Sequence, residues 1–288
     1  MLQRIRLMSH NVWNCDLNSP KWQEVGNDCS AQARVHGLLR VYRETLPDVI
    51  GGQEVSALMA DLLKEGLLGE KMNYTLIWGR FTPILYRSDK LELIASEFGS
   101  YPENIDGFEG SFNDSKTKSW NIGVFRVKES GKMFVFATTH LWWKRSPTGG
   151  NFDNCRNVQL GSDEAREQQI ALLVSKTEEY REKYNCPVFV VGDMNCNYNS
   201  KAMKYIRSHG FCHAHDVASE YSDESMGYHY CFGDGYKNEY YNKSFEDAID
   251  HIYVSSSDSG CVKRFERCSP DYYFPISDHS AVIADIEL

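Results

Sequence analysis

Six apolar runs in this chain each carry, at one edge, side chains that bind metals or move protons. They are IRLMSHN ending at Asn11, DVIGGQE ending at Glu54 and FVFATTH ending at His140. Then come VFVVGDMN with Asp193 and Asn195, AIDHIYV with Asp250, and SDHSAVIADI with Asp278 and His279. Carboxylates and amides supply the oxygen ligands that hard cations such as Mg2+ and Mn2+ prefer. Phosphoester hydrolysis needs such a cation, a group that positions water, and stabilisation of the leaving oxygen. Glu54, Asn11 and Asp278 are of the type that serves a metal. Asp193 suits the orientation of an attacking water, and Asn195 suits donation to a phosphate oxygen. Asp250 and His279 form a natural pair, in which the carboxylate fixes the tautomer and raises the basicity of the other ring nitrogen. His140 is a second imidazole, able to stabilise charge or protonate a leaving group.

Each piece has a plainer reading when taken alone. Gly-Asp-x-Asn is a common turn, because Asp and Asn favour turns. Gln53-Glu54 also reads as a strand-end surface acid, and Thr-Thr-His-Leu as a core histidine with its hydrogen bonds satisfied. His251 follows Asp250 along the same run, so it points to the opposite face and reads as structural. The recurrence in six runs, from the first residues to the last, is what favours strands delivering these groups to one edge of a sheet core.

The elements that must do this positioning are legible from periodicity. Residues 33–46 place Val35, Leu38, Leu39, Tyr42 and Leu46 on one helical face, and Pro47 ends the helix. Asp48–Glu54 reads as a buried strand and 56–68 as a second helix. Residues 163–184 form the longest helix, with Pro187 at its exit into VFVVGD. Residues 200–208 form a short helix, capped by Ser200 and closed by Gly210. Further strands are predicted at Tyr74–Trp78, Thr82–Tyr86, Leu91–Ser96, Ile122–Val127 and Phe134–Thr139. Glu129-Ser130-Gly131-Lys132 makes a hairpin turn between the last two. Hairpins mixed with helix-linked strands predict mixed sheets packed face to face with helices outside. Residues 97–121 and 144–162 read as surface loops, and 219–247 as a tyrosine-rich loop. Long irregular loops of that kind are often functional.

Composition narrows the classes. The chain has 288 residues, 42% hydrophobic and 25% charged, as in a globular protein. We expect one domain over 1–288, with no transmembrane segment. Nine cysteines without a CxxC pair give little support to structural zinc. They read as reduced thiols, Cys196 among them as a small filler near a turn, and point to a cytoplasmic location. The N-terminus enters a strand pattern directly, and secretion is the alternative if a leader has been removed. Net charge −9 with pI ≈ 5.5 argues against gripping long duplexes through many phosphates. It leaves room for a basic rim on an acidic, metal-filled site. No partner protein is inferable.

In order, SHNVW, GGQEV, ILYRSDKLEL, TTHLWW, GDMN, DHIYV and SDHSAV resemble the endonuclease/exonuclease/phosphatase superfamily of metal-dependent phosphoesterases. The resemblance spans residues 9 to 282. It implies a four-layer α/β sandwich with the site at one end of two packed sheets. It also implies that Asn11, Glu54 and Asp278 serve the metal, Mg2+ or Mn2+. By the same resemblance Asp193 orients water, Asn195 binds phosphate, His140 stabilises the transition state, and Asp250 and His279 form the polarised pair. Two departures concern substrate. Trp142 and Trp143 follow THL where many relatives continue with a polar residue. The arginine or tyrosine that many nucleases carry in mid-chain has no secure counterpart here, with Lys118, Arg80 and Tyr86 as candidate stand-ins.

Trp13, Trp142 and Trp143 follow site motifs, and their rings suit stacking on a base or sugar, or packing the edge of the fold. His229, in the tyrosine-rich loop, is a candidate pocket residue. Lys144 and Arg145 offer a further phosphate contact or a solvated loop. Three functions stay open: hydrolysis of a small or non-nucleic phosphoester, cleavage of single-stranded or short nucleic acid, and non-catalytic binding on the same fold.

Overall fold

The computed structural model describes residues 3–147, 157–221, 248–268, 270, 272–273 and 276–288. Two sheets dominate it. The first holds β1 (Arg4–Asn11), β2 (Val49–Gln53), β3 (Tyr74–Ile77), β4 (Ile84–Arg87), β10 (Glu220–Tyr221), β12 (Val262–Cys268) and β13 (Ala281–Glu287), in the order β10-β12-β13-β1-β2-β4-β3. The second holds β5 (Leu91–Ser100), β6 (Ser119–Val127), β7 (Met133–His140), β8 (Val188–Asp193), β9 (Phe211–His213) and β11 (Asp250–Ser255), in the order β5-β6-β7-β8-β11-β9. The pairs β1/β2 and β7/β8 are parallel at the centre of each sheet, flanked by antiparallel neighbours.

Strand periodicity builds the layers. Ile5 and Leu7, Val49, Phe134 and Phe136, Phe189 and Val191, Ile252 and Val254 face inward and form one core between the sheets. Met8, Ile50 and Leu85 face outward against α2 (Ala31–Thr45) and α3 (Ala57–Gly69). Val135, Ala137, Val188 and Val190 face outward against α4 (Ser162–Tyr184) and α5 (Lys201–Ser208). The result is helix, sheet, sheet, helix. Ser30, Ser56 and Ser200 cap α2, α3 and α5 by accepting backbone N–H bonds from Ala33, Met59 and Met203. The shorter α1 (Pro20–Glu24) and α6 (Ala214–Val217) were not expected from the periodicity of the sequence.

Several boundaries shift. Leu46 is not on the packed face of α2, but sits exposed as its left-handed cap. β4 starts at Ile84, because Pro83 has no N–H and the Thr82 hydroxyl bonds Ser119 instead. The expected loop 97–121 is largely ordered. β5 runs on to Ser100, β6 begins at Ser119, and Tyr101, Ile105 and Phe112 are buried between them. Within 219–247 only Ser219–Tyr221 are described. His229 lies outside the described residues, as do 148–156 of the other expected loop. No helix among the described residues is long and apolar enough to cross a membrane.

Candidate active site

At one end of the inter-sheet core the inward-facing positions change from apolar to polar. Ile5 and Leu7 are followed in phase by Ser9 and Asn11, and Val49 by Gly51 and Gln53. Phe134 and Phe136 lead to Thr138 and His140, and Phe189 and Val191 to Asp193. On antiparallel β11 the same parity begins with Asp250. Register then sets His140 beside Asp193, and Asp193 beside Asp250. The sheets close tightly here. A Cβ on Gly51 would lie 2.6 Å from Val191 and 2.7 Å from Thr138, and Gln53 Nε2 bridges the sheets to Thr138 Oγ1 at 2.9 Å. Gly192 is needed for a similar reason, since a Cβ there would stand 2.1 Å from the Thr139 carbonyl oxygen.

Asn11 ties the sheets together at the site, its Nδ2 donating to Asp193 Oδ2 at 3.0 Å and Glu54 Oε1 at 3.3 Å. Its Oδ1 accepts from the Trp13 N–H at 2.9 Å. Glu54, just beyond β2 with φ 58°, takes the Asn14 N–H on Oε2 at 2.8 Å. Asp193 Oδ1 accepts the Asn195 N–H at 2.8 Å, and Asn195 Nδ2 donates to the Leu141 carbonyl at 3.0 Å. His279 Nδ1 donates to Asp250 Oδ2 at 2.7 Å, and its Nε2 stands 3.9 Å from Asp193 Oδ2. The expected Asp250–His279 pair is therefore present as a contact. Behind it runs a buried chain of donors. Tyr42 OH donates to His10 Nδ1 (3.2 Å), His10 Nε2 to Tyr273 OH (2.6 Å), and Tyr273 OH to the His279 carbonyl (2.7 Å).

Lys118 fills the other side. Its ammonium is buried and donates to His140 Nε2 at 2.6 Å. That nitrogen also lies 3.4 Å from Asp193 Oδ2 and 3.9 Å from Glu54 Oε1. Asn113 holds the Lys118 backbone, accepting its N–H at 2.7 Å and donating to its carbonyl at 2.9 Å.

The electrostatics follow from burial. Burial, with Asp250 alongside, pushes the Asp193 carboxyl up to about 6. Burial pushes Asp278 up to about 7, with His279 opposing and Glu54 adding to the rise, and its Oδ1 has no hydrogen-bond partner. For His279 burial works downward, but Asp250, Asp193 and Asp278 together hold it well above the usual histidine range. Burial, then Lys118 and His279, hold His140 well below that range. Lys118 is brought down to about 8 by burial, against the attraction of Glu54 and Asp193. One neutral imidazole and one imidazolium thus face the same carboxylate.

A cavity of about 390 Å³ opens over these groups, lined by Asn14, Glu54, Phe81, Thr117, Lys118, His140, Trp143, Asp193, Asn195 and His279. The donor set fits a divalent cation. Glu54, His140 and Asp193 offer ligand atoms within 4.8 Å of one another, as do Asp193, Asp250 and His279. With the Lys118 ammonium already on His140 Nε2, the Glu54 and Asp193 carboxylates are the donors in that group that suit a hard cation.

The family model of the Endonuclease/Exonuclease/phosphatase family matches residues 8–279. The chain belongs to this family. As a member it is a phosphoester hydrolase of a divalent-metal-dependent class. Solved structures agree on the fold. A family protein from Bacteroides thetaiotaomicron has a TM-score of 0.76 at 18% identity, covering 100% of this chain and 96% of that one. A mannosyl-6-phosphatase from the same organism has a TM-score of 0.73 at 18% identity, with 99% of each chain covered. D. rerio TDP2 complexed with a single-strand DNA product has a TM-score of 0.64 at 17% identity, with 98% of each covered. No curated protein matches by sequence.

The structure brings Asn11, Glu54, His140, Asp193, Asn195, Asp250 and His279 together, with Asp278 adjoining. It separates the tryptophans. Trp142 is a correction: it is fully buried, edge-on to Phe112, and its backbone N–H donates to Gln169 Oε1 at 2.8 Å, so it packs the core and touches no substrate. Trp13 does not line the cavity, because its ring packs on Trp22 and the Arg34 guanidinium. Trp143 does line it, 39% exposed. Phe81, Thr117 and Asn14 were not anticipated. Lys118 was anticipated only as a stand-in, since a lysine in a polar stretch carries no signal of burial.

Proposed function

We propose that this protein hydrolyses a small phosphoester, its phosphate seated between Lys118, Asn195 and His279 and its alcohol portion against Phe81 and Trp143. The observation that carries this reading is the cavity of about 390 Å³, whose lining combines the Glu54 and Asp193 carboxylates, Lys118 and His279 with the rings of Phe81 and Trp143. A space of that size suits a compact ligand. A net charge of −9 disfavours a long polyanion. The mannosyl-6-phosphatase among the similar folds is consistent with this substrate class.

Glu54 would hold the cation, Mg2+ or Mn2+, with Asn11 and Asp278 beside it. When bound, it neutralises phosphate charge and polarises the P–O bond to be broken. Asp193 accepts a proton from the attacking water, and its elevated pKa keeps it basic enough to do so near neutral pH. Asp250 orients His279, whose protonated Nε2 donates to a phosphate oxygen. His140 acts through Lys118, because its Nε2 is occupied as an acceptor. Lys118 then supplies the positive charge that His140 was expected to provide.

The exposed Trp143 keeps a second reading in play, in which a base of single-stranded nucleic acid stacks at the rim. A cleavage panel decides between them. It holds sugar phosphates, inositol phosphates, bis-nitrophenyl phosphate, and single-stranded DNA and RNA, each with Mg2+ or Mn2+ and with EDTA. Metal-dependent turnover of a small phosphoester, and of none of the polymers, is expected. Cleavage of nucleic acid alone would replace this reading with the nuclease one.

A further inference from the structure

The loop that carries Asn14 to Glu54 also brings two thiols together. Cys15 Sγ lies 3.5 Å from Cys29 Sγ. Cys29 is fully buried, while Cys15 is only half-buried. The thirteen-residue segment between them folds back on itself. Asn18 Oδ1 accepts the Cys29 N–H at 2.9 Å, and Asn18 Nδ2 donates to the Asn27 carbonyl at 2.9 Å. One buried guanidinium holds both cysteine backbones, Arg34 donating to the Cys15 carbonyl at 2.9 Å and to the Cys29 carbonyl at 2.8 Å. A disulfide needs the sulfurs at about 2.05 Å. Side-chain rotation of ~1.5 Å supplies the difference, on backbones already fixed relative to each other.

We propose that Cys15 and Cys29 form an oxidisable dithiol, closed to an intramolecular disulfide by exchange with a small-molecule disulfide such as oxidised glutathione. The Cys15 thiol loses its proton to solvent and its sulfur attacks one sulfur of the oxidant. The S–S bond of the oxidant breaks, and the first glutathione leaves and takes up a proton. The Cys29 thiol then loses its proton, its sulfur attacks Cys15 Sγ of the mixed disulfide, and the second glutathione leaves as a thiol. Two protein thiols are oxidised and one disulfide is reduced to two thiols. The cross-link clamps the loop one residue from Asn14, whose N–H holds Glu54 Oε2, onto the start of α2. Burial, followed by the hydrogen bond with Cys29, pushes the Cys15 thiol up to about 12. Exchange is therefore slow at neutral pH, which makes the pair a lock rather than a fast peroxide sensor.

The test uses the folded full chain, incubated with oxidised glutathione at about pH 8.5 to raise the thiolate fraction. It is then alkylated and digested with trypsin without reduction. Cleavage after Lys21 places Cys15 and Cys29 in different peptides. The expected result is one species joining those two peptides. A rise in Tm of roughly 5 °C accompanies it, reversed by dithiothreitol. Cys29→Ser is expected to lose the cross-link and the Tm rise, and to trap glutathione on Cys15. Alkylation of both residues with no joined peptide would overturn the proposal. So would a joined peptide with an unchanged Tm, because the loop would then not be locked.

Discussion

In the proposed mechanism Lys118 and His140 act as one unit, joined at 2.6 Å. An ammonium donating to a neutral imidazole presents its remaining protons to the cavity, while the imidazole serves as an anchor. Lys118→Ala is expected to raise KM for a phosphoester by about 10-fold or more, with a smaller fall in kcat, since a charge-assisted contact to phosphate contributes roughly 1.5–3 kcal/mol. Lys118→Arg is expected to recover part of the loss. Steady-state kinetics of the two variants test this, and an unchanged KM in Lys118→Ala would detach Lys118 from the phosphate.

At the scale of elements, strand parity was the readable part. Alternation along FVFATTH and VFVVGD put His140 and Asp193 on the face of Phe136 and Val191, and put His251 opposite Asp250. Loops were unreadable for physical reasons. The segment 101–118 buries Tyr101, Ile105 and Phe112 without any period, and Lys118 is held there by Asn113, a pairing that no spacing announces. Trp142 and Trp143 are adjacent letters, yet one joins the core behind α4 and the other the cavity, a choice made by tertiary packing. On the outer face, His251 Nε2 donates to the Cys196 carbonyl at 2.9 Å and its Nδ1 accepts from His213 Nε2 at 3.0 Å. Burial lowers His251 to about 4. Between about 4 and 6.5 the unfolded ring takes a proton that the folded ring refuses, so this group's contribution falls as pH drops through that window. Asp193 and Asp278, raised in the fold, bind protons there and act in the opposite sense. The expected signature is therefore differential. The stability gap between wild type and His251→Gln should narrow by roughly 1 kcal/mol per pH unit below about pH 6, measured by urea unfolding. A gap independent of pH would show that His251 is not held neutral.

For the whole molecule, the site gathers Glu54, Asp193 and Asp250, with Asp278 near Glu54 and Asp193, at one end of a chain already at net charge −9. Burial raises the Asp193 and Asp278 carboxyls even with His279, and for Asp193 also Lys118, alongside, so their charged forms cost the fold energy that a bound cation would offset. Mg2+ or Mn2+ is expected to raise Tm, with a dependence on concentration set by affinity. Glu54→Ala should lose most of that rise, and an unchanged metal titration in this variant would remove Glu54 from the ligand set.

The most direct test of the central claim separates binding from chemistry. Asp193→Asn and His279→Ala would be assayed for metal-dependent turnover of whichever small phosphoester the wild type cleaves, alongside Tm. The account predicts a loss of about 100-fold or more in kcat in each, with the metal-free fold intact and Asp193→Asn no less stable than wild type once its buried charge is gone. Turnover that survives in Asp193→Asn at near wild-type rate would contradict the assignment of Asp193 to the attacking water, and with it the proposed site.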